Sequence, residues 1–334
     1  MGSSTKSRAT WEGWPVRGDA DDWYRFVIDE SSLDWRALSP EELRDVLDTF
    51  ADLLDPLADG RLVAFMAPAY EVECLLSATF ADLLSTPDPR VPRDARVRLL
   101  SLIGKCRSLD PGDDDIPQPV MIAGIPYPEP SWGLSHALAR TAAGRTTSCL
   151  MVPTTPGPTG WVVAERADLE TDIHILTNPS GLTDFWRQVI VREKIAETGF
   201  FVYADRAFPN LLFAPSLQFN RFAGVYAEVL PWLVKLLSAV NDHFSEALAR
   251  HQGDHNQVIA EFSALGLDIS PESSSTKKNA RAWAQRLIEY DAVAHRCEWH
   301  GKRLWNYDRV HFSLPIRDLG GKVLIGVFHE HLDT

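Results

Sequence analysis

Between residues 43 and 54 the apolar side chains Leu43, Val46, Leu47, Phe50, Leu53 and Leu54 recur three and four positions apart, the spacing of one buried helix face. Directly before them, Ser39-Pro40-Glu41-Glu42 has the form of a helix start. Ser39 can accept from the free amides, Pro40 suits the first turn, and Glu42 completes a capping box. Further helices are expected over residues 71–84, 93–107 and 134–143, with the Pro-rich segment 87–92 and the Pro, Gly and Asp-rich segment 111–130 as breaks. Three short β-type runs, 147–152, 161–164 and 173–177, predict a small sheet. Helices are expected again from Thr183 or Asp184 to 197, over 222–248 and over 255–265.

The polar stretch 267–279, which contains Ser-Pro-Glu-Ser-Ser-Ser-Thr-Lys-Lys-Asn, has little to bury and reads as a linker. After it come an expected basic helix, 281–290, and strands at 296–300, 309–314 and 322–328. Gly320-Gly321 between the last two is a hairpin signal. The expected fold class is α+β: a large, mainly helical domain with a small internal sheet, plus a C-terminal helix and antiparallel β-hairpin unit. The expected organisation is an N-terminal arm (1–38), an acidic helical domain (39–266), the polar linker (267–279) and a basic strand-rich unit (280–334).

Charge sharpens that division. The chain of 334 residues carries a formal net charge of −13, which makes it a poor general nucleic-acid binder. Residues 277–334 nevertheless hold 10 Lys/Arg against 7 Asp/Glu, and five of the 10 histidines. The short polar start lacks the apolar core of a secretory signal. The most apolar run, 222–240, includes Glu228, Pro231 and Lys235, too polar for a spanning helix. Cys74, Cys106, Cys149 and Cys297 are scattered singly, the usage of reduced thiols. The expectation is a cytoplasmic protein with no membrane association.

No Walker A loop, Rossmann glycine fingerprint, GxSxG elbow or HExxH helix is present, which removes several enzyme classes. In Asp308-Arg309-Val310-His311-Phe312, alternation puts Arg309, His311 and Ser313 on one strand face and Val310, Phe312 and Leu314 on the other. His329 and His331, two residues apart, share a face about 7 Å apart by strand rise, and can ligate a transition metal with His300 or His311. The ordinary alternative is solvated terminal histidines, because no Cys or carboxylate stands at a known zinc spacing. Cys297 and His300 are expected on opposite faces, against a thiolate and base pair. Asp205 and Arg206 read as a loop held by a buried ion pair. Trp11, Trp14, Trp23 and Trp35 read as packing, and Asp110, Asp113, Asp114 and Asp115 as a solvated turn.

The order of features at the tail resembles the last part of the RelE-type toxin domain: basic helix, strand Cys297 to Arg303 with a basic end, strand YDRVHF, Gly-Gly turn, strand KVLIGVF, polar end HEHL. The ending is also similar to that of uncharacterised bacterial proteins of mobile-element and phage-defence neighbourhoods. The resemblance implies a metal-independent endoribonuclease without cofactor. In it Arg309 contacts the scissile phosphate, His311, His329 and His331 assist proton transfer, and Lys302, Arg303, Arg281 and Lys322 bind RNA, on the ribosome or free. Two other readings stand beside it. One is a non-enzymatic interaction or regulatory component of a bacterial defence or mobile-element system, in which Arg309 pairs with Asp308 or Glu298, His311 is covered, and the partner is a protein. The other is a metal hydrolase liganded by His300, His311, His329 and His331.

Overall fold

The Ser39 hydroxyl accepts from the Glu42 amide at 3.3 Å while the Glu42 carboxylate takes the Ser39 amide at 2.8 Å, and this reciprocal cap opens helix α1 (Pro40–Ala58) where its sequence predicts. The computed structural model describes residues 23–58, 61–112, 117–127, 129–152, 154, 157–167, 169–304, 307–329 and 332. Trp11, Trp14, Asp113 to Asp115 and His331 lie outside the described residues. The chain divides into two units, Met1–Pro179 and Ser180–Thr334.

The first unit is organised by a sheet rather than by helices. Its strands are β1 (Phe26–Ile28), β2 (Val63–Met66), β5 (Arg107–Leu109), β6 (Met121–Ile122), β7 (Ile125–Pro126), β8 (Ser148–Leu150), β9 (Gly160–Arg166) and β10 (Leu169–Leu176), with a separate ladder of β3 (Glu73–Leu75) and β4 (Ala78–Thr79). The eight-stranded order is β5-β2-β1-β8-β10-β9-β6-β7. The first five run parallel, and β9, β6 and β7 extend the edge antiparallel. Helices α2 (Phe80–Ser85), α3 (Arg93–Ile103) and α4 (Trp132–Ala142) complete the unit. Helix α4 covers the face of Val27, Ala64, Cys149, Ile173 and Ile175 with Leu134, Ala137 and Leu138, while α1 packs on α3 and on β2. This is the layering a buried parallel sheet requires.

The second unit contains α5 (Leu182–Arg192), α6 (Glu197–Ala207), α7 (Tyr226–Ala239), a π-helical turn (Val240–Phe244), α8 (Ser245–Arg250), α9 (His255–Ala264), α10 (Ser274–Lys278) and α11 (Ala280–Ala284). Its strands are β11 (Leu211–Phe213), β12 (Asp268–Pro271), β13 (Leu287–Tyr290), β14 (Val293–Arg296), β15 (Trp299–Leu304), β16 (Tyr307–Phe312) and β17 (Val323–His329). Five form the order β11-β17-β16-β15-β12, with β11 parallel to β17 and the others antiparallel, and β13 and β14 make their own hairpin. One sheet face is apolar. Phe244 meets Trp299 and Phe312 edge-on at 5.2 and 5.0 Å, and Phe222 stacks on Phe328 at 4.9 Å.

These sheets correct the expectation of a mainly helical domain with a small sheet. They also relocate the expected linker: residues 268–271 are a strand of the second sheet and 274–278 a helix, and the division between units falls at 179/180. The helix expected over 281–290 ends at Ala284, and its second half is β13. The segment 71–84 splits into a strand ladder and the short α2, and Asp205 and Arg206 sit on α6, not in a loop, with Arg206 over the Trp186 ring at 5.1 Å. Among the described residues, no helix is long and apolar enough to cross a membrane.

Gly301 lies between β12 and β16 where a Cβ would stand 2.5 Å from Cδ2 of the buried Leu236 on α7. Gly301→Val is expected to destabilise the chain by about 1–3 kcal/mol through overpacking, measured as a lower urea midpoint.

Candidate functional site

Alternation along β12, β15 and β16 decides which side chains gather. Asp268, Ser270 and Glu272 fall on one face of β12 and its extension, where the Glu272 amide bonds the Glu298 carbonyl at 2.8 Å. Ser270 stands opposite His300, and His300 opposite His311. Asp268 stands opposite Lys302, Lys302 opposite Arg309, and Arg309 opposite His329. The face opposite the apolar one is therefore two cross-strand rows of ionisable groups. Arg309 and His311 share this face, as the alternation in YDRVHF predicts.

The inner row is closed. The Arg286 Nε donates to Glu272 Oε1 at 2.9 Å, and Arg286 Nη1 donates to the Ala282 carbonyl at 2.7 Å. Both partners of this ion pair are covered, with side chains 0% and 3% exposed. The same Oε1 lies 3.5 Å from His300 Nδ1 and 3.3 Å from His311 Nδ1. Neither nitrogen meets it with hydrogen-bond geometry, and both His311 nitrogens and His300 Nδ1 are buried without a hydrogen-bond partner. The two rings stand 5.1 Å apart, and His300 Nε2 lies 3.3 Å from Ser270 Oγ.

Burial disfavours the imidazolium, and with the neighbouring His311 and Arg309 it pushes His300 down to about 3 against the opposing pull of Glu272. Burial lowers His311 as well. Burial alone would raise Glu272, but its contacts with His311, His300 and Arg286 hold it at about 2. At neutral pH the inner row is thus a carboxylate, a guanidinium and two neutral imidazoles.

The outer row is more open. Arg309 is 9% exposed, its Nε makes no hydrogen bond, and burial lowers its proton affinity while Glu272 raises it. Lys302 Nζ is 3.5 Å from the exposed Asp268, and His329 is half-buried. Asp308 and Glu298 do not neutralise Arg309: Asp308 pairs with Arg303 at 3.1 Å and accepts the Ala223 amide at 2.7 Å, and Glu298 pairs with Lys277 at 3.1 Å.

The expected site residues thus separate. Arg309, His311, His329 and Lys302 share the face, with His311 beneath it. Arg303 anchors the start of β16 through Asp308, and Arg281 is exposed on α11. Lys322 precedes the far end of β17, seven residues from His329, or about 23 Å along a strand. His331 is outside the described residues. Cys297 is buried and its thiol is pushed up to about 12 by burial, against a reactive thiolate at neutral pH. Glu272, Ser270 and Arg286 were not expected. The polar and apolar alternation Asp268-Ile269-Ser270-Pro271-Glu272 was the available signal.

The first unit has a second polar centre, at the carboxyl ends of β1 and β8, the crevice where doubly wound sheets bind ligands. Here it is filled from within. Tyr127 Oη donates to Asp29 at 2.6 Å, Ser31 Oγ lies 2.9 Å from the same carboxylate, and Glu30 accepts the Trp132 and Gly133 amides at the start of α4. Comparison with known proteins finds no matching family model, no matching curated protein and no matching solved structure.

Two predictions follow from these centres. Glu272→Ala leaves the Arg286 charge buried and uncompensated, so a loss of about 3–5 kcal/mol is expected, read from urea denaturation. Burial raises Asp29 and, with the Asp29 charge, Glu30, from ordinary values of 3.8 and 4.5. Their contribution to stability is present below those values and is lost as pH rises through the raised folded ones. Asp29→Asn is therefore expected to narrow the difference between urea midpoints at pH 4 and pH 8.

Proposed function

We propose that the second unit binds the phosphate backbone of RNA along the outer row and acts as a metal-independent endoribonuclease of toxin or defence type. The observation that carries this reading is the Lys302, Arg309, His329 row, in which, among the described residues, no carboxylate forms an ion pair with Arg309 and its Nε makes no hydrogen bond. A guanidinium in that state presents donors suited to a phosphate. Strands about 4.8 Å apart space three such groups over a length comparable with successive phosphates.

In the reaction, a base removes the proton of the 2′-hydroxyl, whose oxygen attacks the adjacent phosphorus. Arg309 stabilises the charge that develops, and the departing 5′-oxygen takes up a proton. His329 is the described imidazole placed to handle a proton. His300 and His311 are too deeply covered to touch a substrate and serve as support. This burial also favours the second reading, an interaction component that binds RNA or a protein partner without cutting. Four free cysteines, Cys74, Cys106, Cys149 and Cys297, suit a cytoplasmic setting for either.

Fluorescence anisotropy with a labelled single-stranded RNA tests the proposal. Binding is expected to weaken with salt, and Arg309→Ala is expected to weaken it about tenfold and to reduce the slope of log affinity against log salt by about 0.7, one phosphate contact. Unchanged binding in Arg309→Ala would overturn the site. Cleavage in the presence of EDTA that disappears in His329→Ala while binding persists supports the nuclease; binding without cleavage in the wild type leaves the interaction component.

A further inference from the structure

Three ligand-type side chains converge in the inner row from three neighbouring strands. One oxygen of Glu272 and one nitrogen each of His300 and His311 lie within 4.8 Å of one another, all buried. The two distances from Glu272 Oε1, 3.5 Å to His300 and 3.3 Å to His311, are longer than a good hydrogen bond. They match a different geometry. Ligands about 2.0–2.1 Å from a tetrahedral zinc ion stand about 3.3–3.4 Å apart.

The nitrogens are also in the right state. His311 is fully buried and His300 is 5% exposed, and their Nδ1 atoms face the Glu272 carboxylate at 3.3 and 3.5 Å, a long electrostatic contact outside good hydrogen-bond geometry. A buried imidazole nitrogen left without a partner costs free energy comparable with a lost hydrogen bond. Outer contacts complete the arrangement. Ser270 Oγ stands 3.3 Å from His300 Nε2; with the serine accepting the Nε2 proton the Nδ1 lone pair is available, and Arg286 holds the Glu272 carboxylate. Supporting bonds of this kind orient the ligands of metal sites.

We propose that Glu272, His300 and His311 bind one divalent transition-metal ion of the zinc type, which ties β12, β15 and β16 together beneath Arg309. The site is independent of RNA binding and does not require the reaction above. Two guanidiniums, Arg286 and Arg309, oppose a cation, and a single carboxylate offsets only part of that charge. The remaining coordination position therefore selects hydroxide or another small anion over a neutral ligand. An anion without metal is a poor occupant, because the two imidazole nitrogens face the negative Glu272 oxygen.

The test uses the full chain, freed of metal with a chelator and dialysed. With zinc, about one equivalent is expected to be retained and the melting midpoint to rise by several degrees; with cobalt(II), visible ligand-field bands are expected. His300→Gln and His311→Gln, each checked by circular dichroism for a folded chain, are expected to lose the retained ion and the thermal shift. Four results would overturn the assignment: no retention above background, no cobalt spectrum, retention that survives both substitutions, or a thermal shift produced by inorganic phosphate alone and not by zinc. Retention surviving both substitutions would place the metal elsewhere, with His329 as the first alternative ligand to examine.

Discussion

The Glu272 carboxylate is the contact on which the polar face of the second sheet depends. It is the counter-charge to Arg286, a guanidinium with no exposed surface, and it sits between the imidazoles of two further strands. A buried guanidinium cannot shed its proton, so its charge must be met by a partner within the fold. Glu272 thereby fixes the extension of β12, the chain reversal after α11 and the ring positions of His300 and His311. An ion pair of this kind contributes little net stability against an apolar replacement. Its presence in place of packed aliphatic side chains points to a role for the charges themselves.

The second sheet divides its labour by parity. Trp299, Val310, Phe312 and Phe328 turn toward Phe244, Phe222 and the helices, while the residues between them carry nearly every ionisable group. Gly301 allows Leu236 to approach on the apolar side. On the polar side the inner row is sealed and the outer row reaches the surface. The inner row is covered throughout; in the outer row Lys302 and His329 are partly exposed and Arg309, 9% exposed, is buried between them.

Much of the tail was legible in the sequence, because Gly320-Gly321 and the alternation in YDRVHF are local signals, and the hairpin forms in that register with φ of 72° and 76° at the two glycines. The cap at Ser39 was legible for the same reason. The first sheet was only partly so. Its β8 falls within a run read as a strand and β9 and β10 overlap two others, but β1 and β2 are three and four residues long and buried on both faces, so they show no alternation. At 267–279 the serines, Pro271 and Glu272 outweighed the short alternation of β12, and composition suggested a linker where pairing with β15 makes a strand. Arg286 read as part of an amphipathic helix, because its partner lies 14 residues away across a turn that the local pattern does not encode. Lys322 shares the basic character of the tail but sits at the other end of its strand. Likeness of charge did not establish proximity.

The central claim is that Glu272 maintains a closed centre of neutral imidazoles beneath a cationic row. Long-range nitrogen–proton NMR on the metal-free chain, with histidines labelled at both ring nitrogens, reads this directly. The account predicts that His300 stays neutral at pH 5, protonated on Nε2, and that His311 titrates below its ordinary value. Titration of either ring near its ordinary value of 6.5 would contradict it, because the centre would then be open to water.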